Sequence, residues 1–456
     1  MPRSSPLLPP APPARLSRRA ALLLPLAGLT LAACRRRELI LEGERLDTRT
    51  VLSPDSPAIE GVTRPTGAAL SLPGARANAD WTHPGGNAAH DGGHVALPGG
   101  GQRLIFATPI GAAQDRRHRI TAAPVIGGGL VFAMDGLSRV TAVTTGGAVA
   151  WSADLTPPHE KTESVSGGGL ALDGALLIAT TGFGEVVALD RATGRIAWRQ
   201  RIEAAISGSA TIAGGTVYVL GRDATGWAIR ASDGRVLWQV VLRRDISGWQ
   251  GYSAPAVEGD LVVFPAASGQ LLAVDRATGA ERWTAQIAGS RVGRAIALIR
   301  DMTGQPVISG GQVIAGTSSG RIAAYDRATG AQIWSHDDGA LSVPVVAGNA
   351  VFAVDDESRL IRLERGNGAR VWAIPLPEFV DAKIKKQERV WAHYGPVLAG
   401  GRLVVASSDG LLRSFDPASG ALLGQVALPG GAATAASVAG GTLYVTSRTG
   451  QLLAYR

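Results

Sequence analysis

The sequence contains a single cysteine among 456 residues, so an internal disulfide bond is impossible and a disulfide-stabilised scaffold is excluded. Aromatic residues make up only 5%, and no apolar run reaches the roughly 20 residues that a membrane-spanning helix needs. Charged residues are only 18% of the chain, and four of the surplus basic residues lie in the first 33 positions. The remaining positive charge is too weak and dispersed to predict nucleic-acid binding. The 45% of apolar residues excludes a disordered chain.

An export signal is predicted at the N-terminus. Basic residues between positions 15 and 19 precede the apolar stretch Ala20–Ala33, which is followed by Cys34. This order predicts a signal peptide at residues 1–33, and the pair Arg18-Arg19 also permits twin-arginine export. The four residues that end at Cys34, Leu-Ala-Ala-Cys, resemble a bacterial lipobox. Cys34 is therefore the predicted lipid-attachment site, with an ordinary free or buried cysteine as the alternative.

A lipid-anchored flexible tether is predicted for residues 34–77. This stretch is polar, contains proline and has no sustained hydrophobic periodicity. It begins with three consecutive arginines at 35–37, which we expect to lie against anionic head groups.

A repeated pattern runs from Pro124 to the end of the chain. Two kinds of turn alternate: a glycine-containing pair between two short apolar runs, and a turn followed four residues later by Trp. The second kind is clearest where Asp-Arg-Ala-Thr-Gly recurs, beginning at Asp190, Asp275 and Asp326. Asp can accept hydrogen bonds from the turn amides and Gly supplies a positive φ, so each copy predicts a hairpin loop.

Tryptophans recur every 38 to 51 residues, which is the spacing of propeller blades. A large flat ring at the start of an outer strand can fill the space between adjacent twisted sheets. We therefore predict a structural role, rather than stacking on a sugar or a cofactor, for six blade tryptophans: Trp151, Trp198, Trp238, Trp283, Trp334 and Trp372.

The predicted fold is all-β: an eight-bladed β-propeller of four-stranded antiparallel blades over residues 78–456. There are eight glycine turns but only seven turns of the second kind, so the eighth unit lacks a fourth strand. The upstream stretch Arg103–Ile110 is predicted to complete the last blade and close the ring, with Phe106 at the Trp position. Closure hides strand edges that would otherwise promote aggregation.

The Trp-containing repeats with Ala-Val-Asp-Arg-Ala-Thr-Gly turns resemble the pyrroloquinoline-quinone-type propeller repeat. Together with the lipobox, the triplet Gly-Glu-Arg at 43–45 and the stretch Asn78–His90, they resemble the BamB family of outer-membrane assembly lipoproteins, in particular its alphaproteobacterial members. The resemblance implies a non-catalytic scaffold anchored by lipid at the periplasmic face of the outer membrane. It would bind the POTRA domains of BamA and other BAM subunits and aid insertion of β-barrel proteins, without a nucleic acid or a small-molecule substrate.

One departure from the family concerns the expected partner-binding segments. Enterobacterial members carry two acidic residues before a Thr-Pro strand start and a basic residue in the preceding blade. The comparable stretches here, Gln250–Pro255 and Ala205–Gly208, have neither. Other residues must therefore make the partner contacts in this chain, and the candidates are Trp249, Gln250, Tyr252 and Ile206. Burial of the two aromatic rings beside the channel is the alternative.

Few residues suit catalysis or metal binding. His90 and His94 share a Gly-rich loop but have no third ligand nearby. Asp355-Asp356-Glu357 lacks the alternation of a calcium loop, so a solvated turn is expected. No serine-hydrolase elbow, HExxH motif or phosphate loop occurs. We predict no catalytic residue, cofactor or metal. A periplasmic quinone-dependent dehydrogenase is the alternative, but such enzymes normally carry an adjacent Cys pair.

Two insertions break the regular repeat spacing, at Gly289–Pro306 and Leu376–Tyr394. The second is basic and aromatic, and such a loop suits docking to an acidic partner surface. Lys385 and Arg389 are the candidates within it. A solvated helical turn with its lysines in water is the alternative.

Overall fold

The structure is a computed structural model that describes residues 68–456, except 207, 246–253, 288, 290, 292–298, 300 and 382. Cys34 and the predicted signal peptide therefore lie outside the described residues. Within the described part of the chain, no helix has the length and hydrophobicity needed to cross a membrane.

Thirty-two strands in this part of the chain form eight four-stranded antiparallel sheets, which are the blades of the ring. Blade 1 contains β2 (Val125–Gly127), β3 (Leu130–Met134), β4 (Arg139–Thr144) and β5 (Val149–Asp154). Blade 2 contains β6 (Gly168–Asp173), β7 (Leu176–Thr181), β8 (Glu185–Asp190) and β9 (Ile196–Arg201). Blade 3 contains β10 (Thr211–Ala213), β11 (Thr216–Leu220), β12 (Thr225–Arg230) and β13 (Val236–Val241). Blade 4 contains β14 (Ala256–Glu258), β15 (Leu261–Pro265), β16 (Gln270–Asp275) and β17 (Glu281–Gln286).

The second half of the ring repeats this arrangement. Blade 5 contains β18 (Gly304–Ser309), β19 (Gln312–Thr317), β20 (Arg321–Asp326) and β21 (Gln332–His336). Blade 6 contains β22 (Val345–Ala347), β23 (Ala350–Val354), β24 (Arg359–Glu364) and β25 (Arg370–Pro375). Blade 7 contains β26 (His393–Ala399), β27 (Arg402–Ser407), β28 (Leu411–Phe415) and β29 (Leu422–Ala427). Blade 8 contains β30 (Ser437–Ala439), β31 (Thr442–Thr446), β32 (Gln451–Tyr455) and β1 (Leu104–Pro109).

Blade 8 takes its outer strand from the other end of the described chain. β1 pairs antiparallel with β32, and Leu104 lies opposite Tyr455 while Pro109 lies opposite Gln451. The eight-bladed prediction is confirmed, and the shortage of one outer strand at the end of the repeat region has this physical origin.

The Asp-Arg-Ala-Thr-Gly turns adopt the predicted chemistry. Oδ1 of Asp190 accepts hydrogen bonds from the backbone N–H of Thr193, at 2.9 Å, and from its hydroxyl, at 2.6 Å. Gly194 ends the turn with a φ of 72°. This left-handed backbone region is one that residues with a Cβ rarely adopt, so the glycine is required at the end of each turn.

Each blade tryptophan lies against the turn that joins the third and fourth strands of the next blade. The indole nitrogen of Trp151 donates a hydrogen bond to the carbonyl oxygen of Arg191, at 3.0 Å, and its ring lies on Gly194. The same pair of contacts recurs around the ring for the five other tryptophans: Trp198 with Gly234, Trp238 with Gly279, Trp283 with Gly330, Trp334 with Gly368 and Trp372 with Gly420. The tryptophans thus join consecutive blades.

Two positions around the ring carry no blade tryptophan, Phe106 and Gly424, because blade 8 takes its outer strand from β1. Phe106 of β1 lies on Gly147 of blade 1, and the nearby hydroxyl of Thr108 donates to the Gly147 carbonyl, at 2.6 Å. Gly424 stands where blade 7 would carry Trp. Because the outer strand of blade 8 comes from β1, no turn connects β32 to it, and a ring at position 424 would have no such turn to pack on.

Residues 68–77, which the sequence assigns to the tether, lie against blades 6 and 7. Leu70 and Leu72 pack on the core that includes Phe352 and Trp372. The carbonyl oxygen of Ala68 accepts a hydrogen bond from Arg362, at 3.0 Å. The ordered contacts therefore begin upstream of residue 78.

Candidate functional site

The strand order gives the ring two distinct faces. The turns that join the first strand to the second and the third to the fourth lie at one end of every blade, which we call the turn face. The turns that join the second strand to the third, and the connections between blades, lie at the other end, the connection face. Among the described partner-binding candidates, Ile206, Lys385 and Arg389 belong to connections between blades, and therefore to the connection face.

Residues 78–95, which we call the plug segment, lie across the central channel at the turn face. The first strand of each blade lines the channel, and the segment bonds to these strands in seven of the eight blades within the described residues. Backbone N–H groups at equivalent positions donate to it in five blades: Ile126 to Trp81 O, Leu172 to Thr82 O, Ile212 to His83 Nε2, Val257 to Ala88 O and Ile308 to Ala89 O.

The two ends of the plug segment complete this set of bonds. The backbone N–H of Val95 donates to the carbonyl oxygen of Leu398 in blade 7, at 3.1 Å. The side-chain amide of Asn78 donates to the carbonyl oxygen of Val438 in blade 8, at 2.6 Å. The segment thus satisfies channel-facing backbone groups that would otherwise need water or another ligand. The chain itself therefore crosses this end of the channel.

Two histidines of the plug segment, His83 and His90, are held neutral. Nε2 of His83 accepts the N–H of Ile212 at 3.0 Å, and its Nδ1 lies 2.8 Å from the hydroxyl of Thr82. Burial, reinforced by the neighbouring His90, lowers the pKa of His83 to about 3. Burial also lowers the pKa of His90 to about 4, although a bond to the carbonyl oxygen of Pro306 works against that shift. Both rings are therefore structural groups at neutral pH.

The His90–His94 pair does not form a metal site. Nε2 of His94 accepts the N–H of Gly401 at 2.8 Å, and its Nδ1 lies 2.8 Å from the carbonyl oxygen of Pro73. Both ring nitrogens of His94 are thus used within the fold. Nδ1 of His90 bonds to the Pro306 carbonyl, at 2.8 Å.

The turn Asp355-Asp356-Glu357 is not solvated, and that expectation is wrong. Asp355 and Asp356 are buried because arginines from neighbouring elements cover them. Arg359 bonds to Asp355 at 2.6 Å and to Glu357 at 2.8 Å, and Arg291 bonds to Asp356 and Glu357. Sequence spacing missed this network because Arg291 comes from the connection between blades 4 and 5, whereas the carboxylates lie in the turn between β23 and β24 of blade 6.

Asp338 joins the same network. Arg359 and Arg370 contact its carboxylate at 2.7 Å and 3.1 Å, and Nε2 of His336 lies 2.9 Å away. Burial alone would raise the pKa of Asp338, but the bond from His336 and the arginines hold it well below its usual range. Burial raises the pKa of Asp355 to about 7, against the attraction of Arg359.

The same carboxylates are close enough together to be considered as cation ligands. One oxygen from each of Asp338, Asp355 and Glu357 lies within 4.8 Å of the others. Arg291 and Arg359 already supply the compensating positive charge. We therefore interpret the cluster as an ion-pair network that ties the blade 5 to blade 6 connection to a turn of blade 6.

The partner-binding candidates occupy different environments. Ile206 has 1% of its surface exposed and packs in the core between blades 2 and 3, so its side chain does not face a partner. Trp249, Gln250 and Tyr252 lie outside the described residues. Lys385 and Arg389 are exposed on the connection between blades 6 and 7.

The fold and its Trp-and-turn repeat define an eight-bladed propeller whose channel is crossed at one end by residues 78–95. The family described as Outer membrane protein assembly factor BamB matches residues 136–374 and 381–456. The chain belongs to this family.

Curated relatives carry the same description. The Bordetella pertussis protein is 29% identical over 170 residues, which cover 37% of this chain and 44% of the relative. The Nitrosomonas eutropha protein is 25% identical over 177 residues, covering 39% and 43%. The chain thus matches less than half the length of each of these two relatives.

Solved structures support the fold. BamB from Moraxella catarrhalis superposes with a TM-score of 0.65 at 21% identity, covering 78% of this chain and 99% of that one. A quinohemoprotein alcohol dehydrogenase from Comamonas testosteroni reaches 0.62 at 14% identity, covering 83% and 80%. At such identities the likeness concerns the fold alone.

Proposed function

We propose that this protein is a non-catalytic scaffold of the outer-membrane β-barrel assembly complex. It binds the POTRA domains of BamA through its connection face and aids insertion of β-barrel proteins. Membership of the BamB family supports this role. We further propose that Cys34 carries the lipid anchor, which places the propeller at the periplasmic face of the outer membrane.

The plug segment is the structural observation that most favours a scaffold over a dehydrogenase. Seven blades bond to residues 78–95, so one end of the channel is used for internal contacts. The solitary Cys34 also provides no adjacent Cys pair of the kind expected in a quinone-dependent enzyme. The propeller fold itself does not discriminate, because it is shared with the dehydrogenases.

The connection between blades 3 and 4 supplies the proposed partner contacts. It joins β13 to β14, and Trp249, Gln250 and Tyr252 belong to it. Aromatic side chains are frequent at the energetic centre of protein interfaces. Ile206 is left out of this proposal because it is buried.

Affinity purification from detergent-solubilised envelope tests the proposal. The tagged chain is expected to recover BamA, and the double variant Trp249→Ala, Tyr252→Ala should bind it at least about 30-fold more weakly, since one interface hot spot contributes about 2 kcal/mol or more. Arg195→Ala, an exposed change on the turn face, is the matched control. Reproducible absence of BamA from the unmodified chain would refute the scaffold role.

A parallel assay addresses the rival function. The purified chain is mixed with pyrroloquinoline quinone and calcium, and dye reduction is followed with alcohols and sugars as substrates. We expect no turnover above the protein-free control. Reproducible substrate-dependent reduction would favour the dehydrogenase.

Lipid attachment has its own test. Cys34→Ala should abolish incorporation of labelled palmitate and move the protein from the membrane fraction to the soluble fraction. Labelling that survives this substitution would show that Cys34 is not the anchor.

A further inference from the structure

The connection between blades 6 and 7 folds into a small hairpin on the connection face. Phe379 pairs with Val390 in an antiparallel bridge, and the N–H of Val380 donates to the carbonyl oxygen of Arg389, at 2.9 Å. A 3-10 turn, Ile384–Lys386, forms the tip. We call residues 379–390 the basic hairpin.

The base of the basic hairpin is attached firmly to blade 7. His393, at the start of β26, is buried, and its Nε2 lies 2.7 Å from the carbonyl oxygen of Pro377. Its Nδ1 lies 2.7 Å from the hydroxyl of Ser407. The N–H of Ala392 donates to Ser408 Oγ, and the N–H of Ser408 donates to the Ala392 carbonyl, both at 2.8 Å. The tip is therefore presented from a fixed base.

The tip carries a dense positive charge. Lys383, Lys385, Lys386 and Arg389 fall within seven residues that contain one acid, Glu388, and all four cations are exposed. Arg389 lies 3.7 Å from Asp381, which with Glu388 makes two acids against four cations in the hairpin, so its net charge is +2. Val390 is 61% exposed beside them.

The composition of this patch fits a membrane surface better than a protein interface. Lysine is depleted at protein interfaces, where arginine and aromatic residues are enriched. Three of the four cations here are lysines, and the adjacent exposed side chain is the aliphatic Val390. Clusters of four or more basic residues are the usual means of binding anionic lipid head groups.

We infer that the basic hairpin binds anionic phospholipid head groups and turns the connection face of the propeller toward the membrane. This second contact is independent of the lipid at Cys34. A single anchor on a tether fixes distance but not orientation, whereas the hairpin would fix which face meets the membrane. The role goes beyond scaffolding and does not require BamA.

Vesicle flotation tests the inference on the mature chain from residue 34 carrying Cys34→Ser, so that no acyl chain contributes. Vesicles of phosphatidylcholine with 30% phosphatidylglycerol are compared with pure phosphatidylcholine, with the composition chosen to give roughly the surface potential of an anionic leaflet. The unmodified hairpin should bind only the anionic vesicles, and binding should fall steeply by about 0.5 M salt through screening. Lys383→Gln, Lys385→Gln, Lys386→Gln should weaken partitioning about 10- to 100-fold.

Two control variants isolate the hairpin. Lys→Arg at the same three positions should retain binding, because charge is preserved. Arg103→Gln, Arg195→Gln, Arg235→Gln removes three exposed cations at the turn face and should leave partitioning within about twofold of the unmodified chain. Thermal melting checks that every variant is folded, and the arginines at 35–37 are common to all of them.

Two results would overturn the inference. One is equal binding of the Lys→Gln variant and the unmodified chain to anionic vesicles. The other is binding to neutral vesicles that matches binding to anionic ones. If the Lys→Gln variant instead kept its vesicle binding but lost recovery of BamA, the hairpin would be a protein-docking surface. The scaffold proposal would survive any of these outcomes.

Discussion

The indole nitrogen of Trp334 in blade 5 donates a hydrogen bond to the carbonyl oxygen of Arg365 in blade 6, at 2.8 Å. The ring packs on Gly368, whose φ of 72° places the turn backbone against its face. Residues 31 positions apart thereby connect two sheets. Repetition of this contact explains why the turn and the Trp recur together in the sequence.

Gly368→Ala should destabilise the protein more than Gly215→Ala. Both glycines have positive φ, 72° and 78°, so either change costs about 1–2 kcal/mol of backbone strain. A Cβ at Gly368 would also overlap the ring of Trp334, whereas nothing lies within 4 Å at Gly215. Overpacking adds about 1–3 kcal/mol. Urea unfolding measures the difference, and equal free energies for the two variants would show that the ring contact is unimportant.

The plug segment should make stability sensitive to acid. The pKa values of His83 and His90 are about 3 and 4 in the folded protein, below the usual 6.5. The unfolded chain therefore binds more protons below pH 6.5, and the stability contributed by the neutral rings is lost as the pH falls through that range. Each ring should contribute a slope of about 1.4 kcal/mol per pH unit.

The acid sensitivity is measured by urea unfolding between pH 7 and pH 5. His83→Gln should reduce the slope, because its side chain does not titrate. His118→Gln is the control: His118 is partly buried, and its bond to Asp115 raises its pKa, so its contribution to the pH dependence of stability has the opposite sign. A slope unchanged by His83→Gln would contradict the assignment.

Arg359→Met should cost about 3–5 kcal/mol, because it leaves the buried carboxylates of Asp355 and Asp338 without a major partner. Arg139→Met removes an exposed ion pair with Asp154, 3.5 Å long, and should cost less than about 1 kcal/mol. Chemical unfolding of both variants provides the comparison. Similar small losses would mean that the network is not a stabilising unit.

A chain that begins at Gly111, and so lacks β1 and the plug segment, should self-associate. Loss of β1 exposes the edge of β32 from Gln451 to Tyr455, and unpaired strand edges recruit other chains. Light scattering after size-exclusion chromatography should show oligomers for this truncation. A chain that begins at Ala68, which keeps all the described residues, should remain monomeric. A monomeric Gly111 chain with unchanged melting would mean that β1 is dispensable.

The blade number was predictable because its signals are short-range. Asp190 and Gly194 specify a hairpin within five residues, and the same turn recurs with its Trp around the ring. Phe106 could be recognised in the same way, since its segment resembles an isolated outer strand. The irregular contacts had no such signal: Arg291, Asp338 and Asp356 are far apart in sequence, and only folding brings them together.

The candidate site was likewise predictable from the sequence only in part. The sequence drew attention to the stretch containing Trp81 and His83 by resemblance, but no periodicity indicated that it would bond to blades around the whole channel. Ile206 looked suitable for partner contact from its position in a connection, yet the packing between blades buries it. Lys385 was recognisable as an exposed charge because lysine is seldom buried.

By itself, the sequence determined the repeat, its turns, the number of blades and the family, since hydrogen bonding within a few residues and a regular spacing of Trp carry that information. The tertiary structure alone decided that residues 78–95 cross one end of the channel, that carboxylates around Asp338 are neutralised by arginines, and that the basic hairpin stands on a fixed base. These features depend on contacts between distant parts of the chain, whose free energy is realised only after the ring has formed.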